Sequence, residues 1–332
     1  MRHLSQNKST WISLLPPPPL RAWLFGISLL AAVTVLALLG ECCAASDPDE
    51  LHDATPGASA GKPALPPTGN SPTCNMEAEG NALAPADIDG AGVAVSRASV
   101  KAAAGTEHFA WDMGYTGSHF EFSDVGHLPF GGRIPFENLH RFELGLTVRG
   151  GLWGTVGGFA TVRGGLGFER DPGASGLDGT ALAGLVVPLG RKWTVQFGGG
   201  VTGSKVETQA VPVIGFNYES GDRFAAKLGF PHTEITWRGG TWWGVRLTGS
   251  IEAGSYGLAD DNPIARKGSV AILAPQTGLW FDLRPMDGFS ASIGALYALP
   301  GTMTFYRESG SRIKRFDVGG APGGALRLRY EF

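Results

Sequence analysis

The sequence predicts an all-β fold: a transmembrane, antiparallel, up-and-down β-barrel of about twelve strands, closed by the C-terminal strand. Three observations predict it. Apolar and polar residues alternate from residue 108 onward, the 51 glycines are scattered without a repeat, and the chain ends on an aromatic residue. In the last segment Leu326, Leu328, Tyr330 and Phe332 alternate with three charged residues. This pattern is typical of a strand with one face in lipid and the other in a polar lumen.

The composition excludes several other classes of protein. With 332 residues, a net charge of -3 and a pI near 6.2, the chain has no basic footprint for nucleic acid. A mean hydropathy of +0.01 is too polar for a helical membrane protein, but it suits strands that are polar on one face. Three cysteines build no disulfide framework, and no C-x-x-C pair offers a metal site.

Residues 1–45 are predicted to be a secretory signal peptide that is removed by cleavage. A basic start precedes an uninterrupted apolar stretch from Ala22 to Gly40, and small residues around Ala44 fit a cleavage site. A retained single-pass helix is the alternative, because about nineteen apolar residues can just span a bilayer. Lipidation at Cys42 is disfavoured, since Glu41 stands where such a site needs a small residue.

Residues 46–107 are predicted to be a disordered periplasmic linker. The stretch is rich in Ala, Pro, Gly and Asp, has few aromatic residues, and shows no sustained period. Cys74 falls within it, and no intrachain disulfide is predicted for it. The linker is expected to act as a plain spacer, or alternatively to reach a partner.

Residues 108–332 are predicted to form the outer-membrane β-barrel. The cleanest strand places Phe142, Leu144, Leu146 and Val148 on one face and charged or hydroxyl side chains on the other. Similar alternation recurs up to the closing strand, with turn residues between the segments. The segment 180–189 is apolar on both faces and is the least regular of the predicted strands.

The lengths of the connections provide an independent test of this strand order. If Phe332 ends on the periplasmic side, the short connections LGRK, ESGD, RGGT and RPMDG fall on that side. The connections after Phe122, Phe168, Ser255 and Leu299 then fall outside, and most of them are long. Short periplasmic turns and longer external loops are the expected asymmetry. The short connection GFPHT, placed outside, is the exception.

The C-terminal half also resembles a bacterial family of uncharacterised outer-membrane β-barrels, a family of unknown function. The features that carry the resemblance are the LGFP corner at Leu228 to Pro231, the strand EITW, the tryptophan strand after it, and the terminal LRLRYEF. The similarity extends from Val195 to Phe332 and is weaker from His108. The resemblance implies the fold and the membrane location, and it brings no activity or catalytic residues.

A group of charged residues is predicted to line the lumen, because strand parity places them opposite the apolar face. Seven of the twelve are arginines, and each charge must be paired or hydrated inside. Two interpretations remain open: a selectivity surface for a small polar or anionic solute, or a salt-bridged plug that holds the barrel together. No cofactor and no metal are predicted. The predicted lumen-lining residues are Arg141, Glu143, Arg149, Arg163, Lys227, Arg246, Glu252, Asp282, Arg284, Arg327, Arg329 and Glu331.

An outer-leaflet lipid esterase or deacylase is the alternative class, although the favoured prediction is a protein that is not an enzyme. Ser118, His119 and His127 fall near the first predicted external loop, and Ser255 falls near another, with two aspartates beyond it. No G-x-S-x-G or other nucleophile motif accompanies them. A serine beside a histidine in a loop is more often a solvated surface pair.

The partners predicted from the sequence are those of an outer-membrane barrel. They are membrane lipid, the barrel-assembly machinery acting through the strand that ends in Phe332, and a small polar solute. A loop-mediated adhesin or anchor is a further alternative. It would present residues 260–267 and the basic segment from Tyr306 to Asp317, which could contact the phosphates of outer-leaflet lipid. The favoured function is a narrow pore or a structural barrel.

Overall fold

The computed structural model describes residues 73–332, and this part of the chain is almost entirely β-structure. It contains two three-residue 3₁₀ turns, and none of its helices is long and apolar enough to cross a bilayer. The predicted signal peptide and residues 46–72 of the predicted linker lie outside the described residues. The strands are β1 (Thr73–Ile88), β2 (Ala91–Gly105), β3 (Phe109–Ser123), β4 (Asn138–Trp153), β5 (Val156–Phe168), β6 (Leu177–Pro188), β7 (Trp193–Ser204), β8 (Thr208–Ser220), β9 (Phe224–Phe230), β10 (His232–Arg238), β11 (Trp243–Gly257), β12 (Ser269–Met286), β13 (Phe289–Ala298), β14 (Gly301–Tyr306), β15 (Arg312–Val318) and β16 (Ala321–Glu331).

Fourteen of these strands form a closed antiparallel barrel, which confirms the predicted fold class. Strands β1 to β13 pair in chain order, and β16 closes the ring between β13 and β1. Strands β14 and β15 stand outside this ring, where they prolong the β13 and β16 hairpin. The predicted count of about twelve was low because two strands were missed at the start of the barrel.

The missed strands are β1 and β2, so the prediction of a disordered linker was wrong for residues 73–105. Outward and inward residues do alternate along these strands, but the two faces differ little in hydrophobicity. On β2 the outward face is Ala98, Val100, Ala102 and Ala104, while Arg97 faces inward. Alanine and glycine are depleted from strands, so a face built from them resembles a spacer in sequence. Pairing on both sides supplies the order that intrinsic preference does not.

The two ends of the barrel differ as the loop lengths predicted. One end, here called the turn end, carries Thr73, Phe332 and the short connections. The opposite end, the loop end, carries the long connections 124–137, 169–176 and 258–268, together with β14 and β15. Three short connections also lie on the side of the loop end, at residues 89–90, at residues 205–207 and at Pro231, whose peptide bond is cis.

The outer surface of the barrel is apolar. Leu144, Val162 and Ile293 are each about three-fifths exposed, although they are large aliphatic residues. Near the turn end the outward face is rich in aromatic rings, including Trp237 packed against Trp243 at 5.3 Å between ring centroids. An exposed apolar band with aromatic residues at its border is the surface expected of a lipid-facing barrel.

The interior of the loop end is an apolar core like that of a soluble domain. Phe305 and Phe316 are fully or almost fully buried there, with centroids 5.9 Å apart in an edge-to-face pair. Phe136 packs on Phe120 from the 124–137 connection, and Leu258 enters from the 258–268 connection. Apolar side chains therefore fill this end of the lumen, where parity alone predicted polar ones.

Strand β11 crosses the barrel at the loop end. Beyond Ser250 it leaves β10, and Tyr256 and Gly257 pair in parallel with Gly167 and Phe168 of β5. The loop end is thereby closed as a smaller ring of β1 to β5, β11, β12, β14 and β15, here called the loop-end ring. Strands β6 to β10 remain beside it and form the side lobe. The fourteen-strand circumference is complete only toward the turn end.

Candidate functional site

Ion pairs occupy the inner face of the barrel below the apolar core. The first group is centred on Arg141 of β4, whose guanidinium donates to both carboxylate oxygens of Asp178 at 2.7 and 2.8 Å. It also donates to Glu143 at 2.8 Å. Arg141 and Asp178 belong to strands on either side of β5, and a Cβ at Gly165 of β5 would overlap both of them. The glycine lets the pair bridge over the intervening strand.

The same arrangement recurs one strand earlier. Arg163 of β5 donates to both oxygens of Asp112 on β3 at 3.1 Å, and the pair passes over Gly145 of β4. Here the two side chains are 49% and 36% exposed, against 12% and 15% for Arg141 and Asp178. The Arg163 pair is therefore hydrated, and its Coulomb attraction is more strongly screened.

A third ion pair joins opposite walls of the barrel. Arg97 of β2 donates to Glu252 of β11, whose parity directs its side chain inward. The Arg97 side chain is 13% exposed and the Glu252 side chain is 51% exposed, so solvent reaches the carboxylate much more than the guanidinium. Tyr256 lies close to both Arg97 and Arg141. This level of the lumen is crossed by side chains.

A fourth group lies along the closing seam. Arg327 of β16 donates to Glu79 of β1 at 2.6 and 2.9 Å, and Arg246 of β11 donates to Asp282 of β12 at 2.9 and 3.1 Å. The buried ring of Trp280 lies between the two guanidiniums, with centroid distances of 4.5 Å to Arg327 and 5.4 Å to Arg246. Cation–π contact and charge pairing together fix both arginines.

The twelve predicted lumen residues are placed unequally. Seven lie in the four groups described: Arg141, Glu143, Arg163, Glu252, Arg246, Asp282 and Arg327. Arg329 and Glu331 pair with each other at 2.7 Å beside the turn end. Within residues 73–332, no ion pair shorter than 4.0 Å engages the remaining three, which are Arg149, Lys227 and Arg284.

Sequence reasoning missed most of the acidic partners. Glu79 fell in the predicted linker, as did the basic Arg97, whereas Asp112 and Asp178 were within or beside predicted strands but were not selected. Glu234 of β10, which lies 3.6 Å from Arg246, was also not selected. The usable signal was parity: each acid occupies an inward position opposite exposed apolar neighbours. Trp280 was also missed, because a single inward tryptophan between the outward residues Leu279 and Phe281 does not by itself predict contact with a cation.

A polar cavity of about 290 Å³ opens in the lumen toward the turn end, between β1 and β5. Three carboxylates line it, and each has an arginine: Glu77 with Arg327, Asp112 with Arg163, and Glu143 with Arg141. Lys101 also lines the cavity, and no ion pair within the described strands and loops engages it. The ammonium of Lys101 therefore forms no ion pair within 4.0 Å among residues 73–332, although Glu77 is its cross-strand neighbour. The ten lining residues are Asn75, Glu77, Lys101, Ala102, Ala103, Asp112, Met113, Gly114, Glu143 and Arg163.

The residues considered for lipid hydrolysis are not brought together as a catalytic pair. Ser118 is buried on the inward face of β3, whereas His119 faces outward and its Nδ1 lies 3.0 Å from Asn138. The two aspartates beyond Ser255 are engaged elsewhere, since Asp261 accepts from Arg170 at 2.9 Å and Asp260 lies 3.5 Å from Lys267. Hydrogen bonding from Arg170 lowers the pKa of Asp261 below its usual value. Among residues 73–332 no cluster of three His, Cys, Asp or Glu side chains could hold a metal ion.

The loops considered for adhesion are structured. Asn262 is buried and donates to Pro135 O at 2.7 Å and to the Glu169 carboxylate at 3.0 Å, so the 258–268 connection is fixed to its neighbours. The basic segment comprises the turn of the β14 and β15 hairpin and most of β15, where Lys314 pairs with Asp89 at 3.2 Å.

Comparison with solved structures finds barrels of outer-membrane type. An outer membrane channel from Pseudomonas putida F1 is 10% identical, with 84% of this chain and 100% of that chain covered and a TM-score of 0.40. The translocator domain of the autotransporter NalP from Neisseria meningitidis is 13% identical, with 81% and 91% covered and a TM-score of 0.38. The outer membrane protease OmpT from Escherichia coli is 8% identical, with 80% and 98% covered and a TM-score of 0.27. No protein-family model matches the chain, and no curated protein matches it.

These observations define the class of the protein as an all-β protein built on a closed antiparallel β-barrel. The similar structures include a channel, a translocator and a protease, so the likeness concerns the fold alone. The resemblance of residues 195–332 to a family of unknown function stays a prediction.

Proposed function

We propose that this protein is an outer-membrane channel for small solutes. The observation that carries the proposal is the polar cavity, which lies in the part of the lumen enclosed by the complete fourteen-strand wall. Barrel diameter grows with strand number, and about eight strands already enclose just enough space for side chains to fill. A fourteen-strand wall therefore leaves room that side chains do not occupy.

The ion pairs support a narrow passage rather than a wide pore. Charges in the lumen are costly unless they are paired or hydrated, and most of those described are paired across one strand or across the lumen. The pairs reduce the free cross-section and leave few unneutralised charges. Lys101 is the group that favours an anionic or electron-rich solute at the cavity.

A purely structural barrel would have no need of a polar cavity whose wall carries an ammonium group without an ion pair within 4.0 Å in the described part of the chain. The structural alternative nevertheless makes a distinct prediction, which is that no solute crosses. The cellular setting is part of the proposal: the exposed apolar band would lie in the outer membrane, with the turn end toward the periplasm. Assembly would then proceed through the insertion machinery that recognises the closing strand ending in Phe332.

The test is a flux assay with a panel of solutes. Purified protein in phospholipid vesicles would be challenged with chloride, a monocarboxylate and a pentose, and intact Escherichia coli cells expressing the protein would be challenged with the apolar dye 1-N-phenylnaphthylamine. We expect at least one solute to cross several times faster than in empty vesicles or in cells without the protein. Failure of every solute, with the protein shown to be folded by its β-type circular dichroism, would overturn the channel proposal.

A further inference from the structure

The wall of the barrel is incomplete on one side. Residues 208–213 of β8 pair only with β7, because β9 begins its pairing at Ile214. Residues 251–255 of β11 pair only with β12, because β10 ends its pairing at Ser250. The short β9 and β10 hairpin therefore stops below its neighbours and leaves a gap between upper β8 and upper β11, here called the side notch.

The side notch is long. The six residues of β8 that have no strand partner on this side, at about 3.3 Å each, extend over roughly 20 Å. Its backbone groups cannot face hydrocarbon without partners, so such an edge is tolerated where it borders a water-filled space. The edge also carries a proline. Ser204 N–H donates to Glu207 O, and counting along the regular ladder from there directs the nitrogen of Pro212 away from β7, toward the gap.

The space behind the side notch differs in chemistry from the rest of the lumen. From Gly179 to Tyr218, strands β6, β7 and β8 carry no charged side chain. Their inward positions include Leu182, Val186 and Val213 beside glycines and threonines. By contrast, β1 to β5 and β11 carry most of the ion pairs, with Asp178 at the start of β6 as the acid of one of them. The β6 to β8 wall of the side lobe is thus uncharged over this stretch, whereas its β9 and β10 wall carries Lys227 and Glu234.

The rim of the side notch is apolar on its outer side. Val201 beside upper β8, Ile251 on β11 and Leu273 beside upper β11 are exposed aliphatic residues on the lipid-facing surface. The axial opening at the loop end is closed by contrast, since Phe305 and its neighbours fill the loop-end ring. A molecule that enters from the outer side therefore has an open route sideways and a closed route along the axis.

We infer that the passage opens laterally through the side notch, and that it takes small apolar or amphipathic molecules from the lipid phase into the lumen. The inference rests on the proposed channel function and specifies its solute class and its entrance. The uncharged β6 to β8 wall of the side lobe receives the apolar molecule, and the cavity with Lys101 releases it toward the turn end.

The test is a reversible bridge across the side notch. Ala210 of β8 and Ala253 of β11 are small, exposed and outward-facing, and they lie on opposite sides of the gap. In a background with the three cysteines changed to serine, Ala210→Cys with Ala253→Cys would be bridged by bis-maleimides that contain a cleavable disulfide, in a short and a long form. The matched control is Ala210→Cys with Val201→Cys, which are paired neighbours on β7 and β8 and do not span the gap.

The readout is entry of 1-N-phenylnaphthylamine into intact cells. We expect the bridge across the notch to lower dye entry at least tenfold, to the level of cells without the protein, and a reductant to restore it. The control bridge should change entry less than twofold. Attachment of a bulky polyethylene-glycol maleimide to Ala253→Cys alone should also block entry, and this arm applies if neither bridge forms.

The outcomes separate the two proposals. If the unmodified protein admits a pentose or an anion but no dye, the lateral entrance is wrong while the channel stands. Dye entry that persists after bridging and after bulky modification also overturns the lateral entrance. If no probe crosses at all, the channel proposal itself fails.

Discussion

The loop-end ring and the side lobe are made by one continuous β-wall, yet their interiors are opposite. The nine-strand ring is filled by Phe305, Phe316 and other apolar side chains. The five strands of the side lobe leave a gap in the wall, and three of them, β6 to β8, carry no charged side chain between Gly179 and Tyr218. Nine strands are close to the number that side chains alone can fill, and five more exceed it. Strand number, more than residue type, decides which part of the lumen is solid.

The largest expected effect concerns the apolar core of the loop-end ring. Phe305→Ala removes a fully buried ring from the loop-end ring and should lower the free energy of unfolding by about 3–5 kcal/mol. Phe197→Ala is the matched control, because this phenylalanine faces outward and is about half exposed. Denaturant titration of the refolded protein in one detergent measures both changes. Equal losses would show that the loop-end core is not a packed interior.

The second prediction tests the buried charges below the core. Arg141→Met leaves Asp178 and Glu143 without their shared cation and should lower the free energy of unfolding by about 3 kcal/mol or more. Arg163→Met removes a similar but hydrated pair and should lower it by about 1 kcal/mol or less. Adding Asp178→Leu to Arg141→Met should recover part of the loss, as a double-mutant cycle would measure. A larger effect at Arg163 would contradict the difference in burial.

The third prediction sharpens the contrast in solute preference. Lys101→Gln removes the cavity ammonium that has no ion pair among the described residues, and should lower the flux of a monocarboxylate by about fivefold, the equivalent of about 1 kcal/mol in a wet lumen. Arg191→Gln, in the short connection between β6 and β7, should leave the flux unchanged. Vesicle flux of the anion relative to a pentose gives the ratio. An unchanged ratio would remove Lys101 from the passage.

The smallest prediction concerns the rim of the loop-end ring. The Arg170 hydrogen bonds hold the pKa of Asp261 below its usual value, so the pair favours the folded state while Asp261 is ionised. A lowered carboxyl pKa means that this contribution is present above about pH 3.9 and is lost as the pH falls through the folded-state pKa. The Tm of the wild type should exceed that of Asp261→Asn slightly at neutral pH, and the two should converge in acid. A difference that grows in acid would contradict this sign.

The sequence was sufficient for the wall of the barrel and insufficient for its contents. Strong alternation, as at Phe142 to Val148, predicted lipid-facing strands and the loop asymmetry because one residue determines one face. The weak strands β1 and β2 were lost because alanine faces resemble a linker. The inward parity of Arg141 was accessible, but its bridge to Asp178 depends on Gly165 in the strand between them.

The crossing of β11 could not be predicted from local pattern. It depends on the contact of Gly167 with β11 and on Gly176, whose Cβ would overlap the Gly167 carbonyl. These close approaches are tertiary, and nothing in the flanking sequence distinguishes such glycines from those in ordinary turns. The apolar core was missed for a related reason. The inward face of β3 is polar over most of its length and becomes apolar only near its end, at Phe120.

The seam between β1 and β16 joins the beginning of the barrel to its end. Arg327 and Glu79, which bond across it, are 248 positions apart in the chain. Until β16 is synthesised, the edge of β1 and the edge of β13 that will pair with it have no partner. An unpaired edge promotes association with other chains. Biogenesis therefore has to shelter the earliest strand until translation has finished, and a product lacking only its last dozen residues would be expected to aggregate rather than to insert.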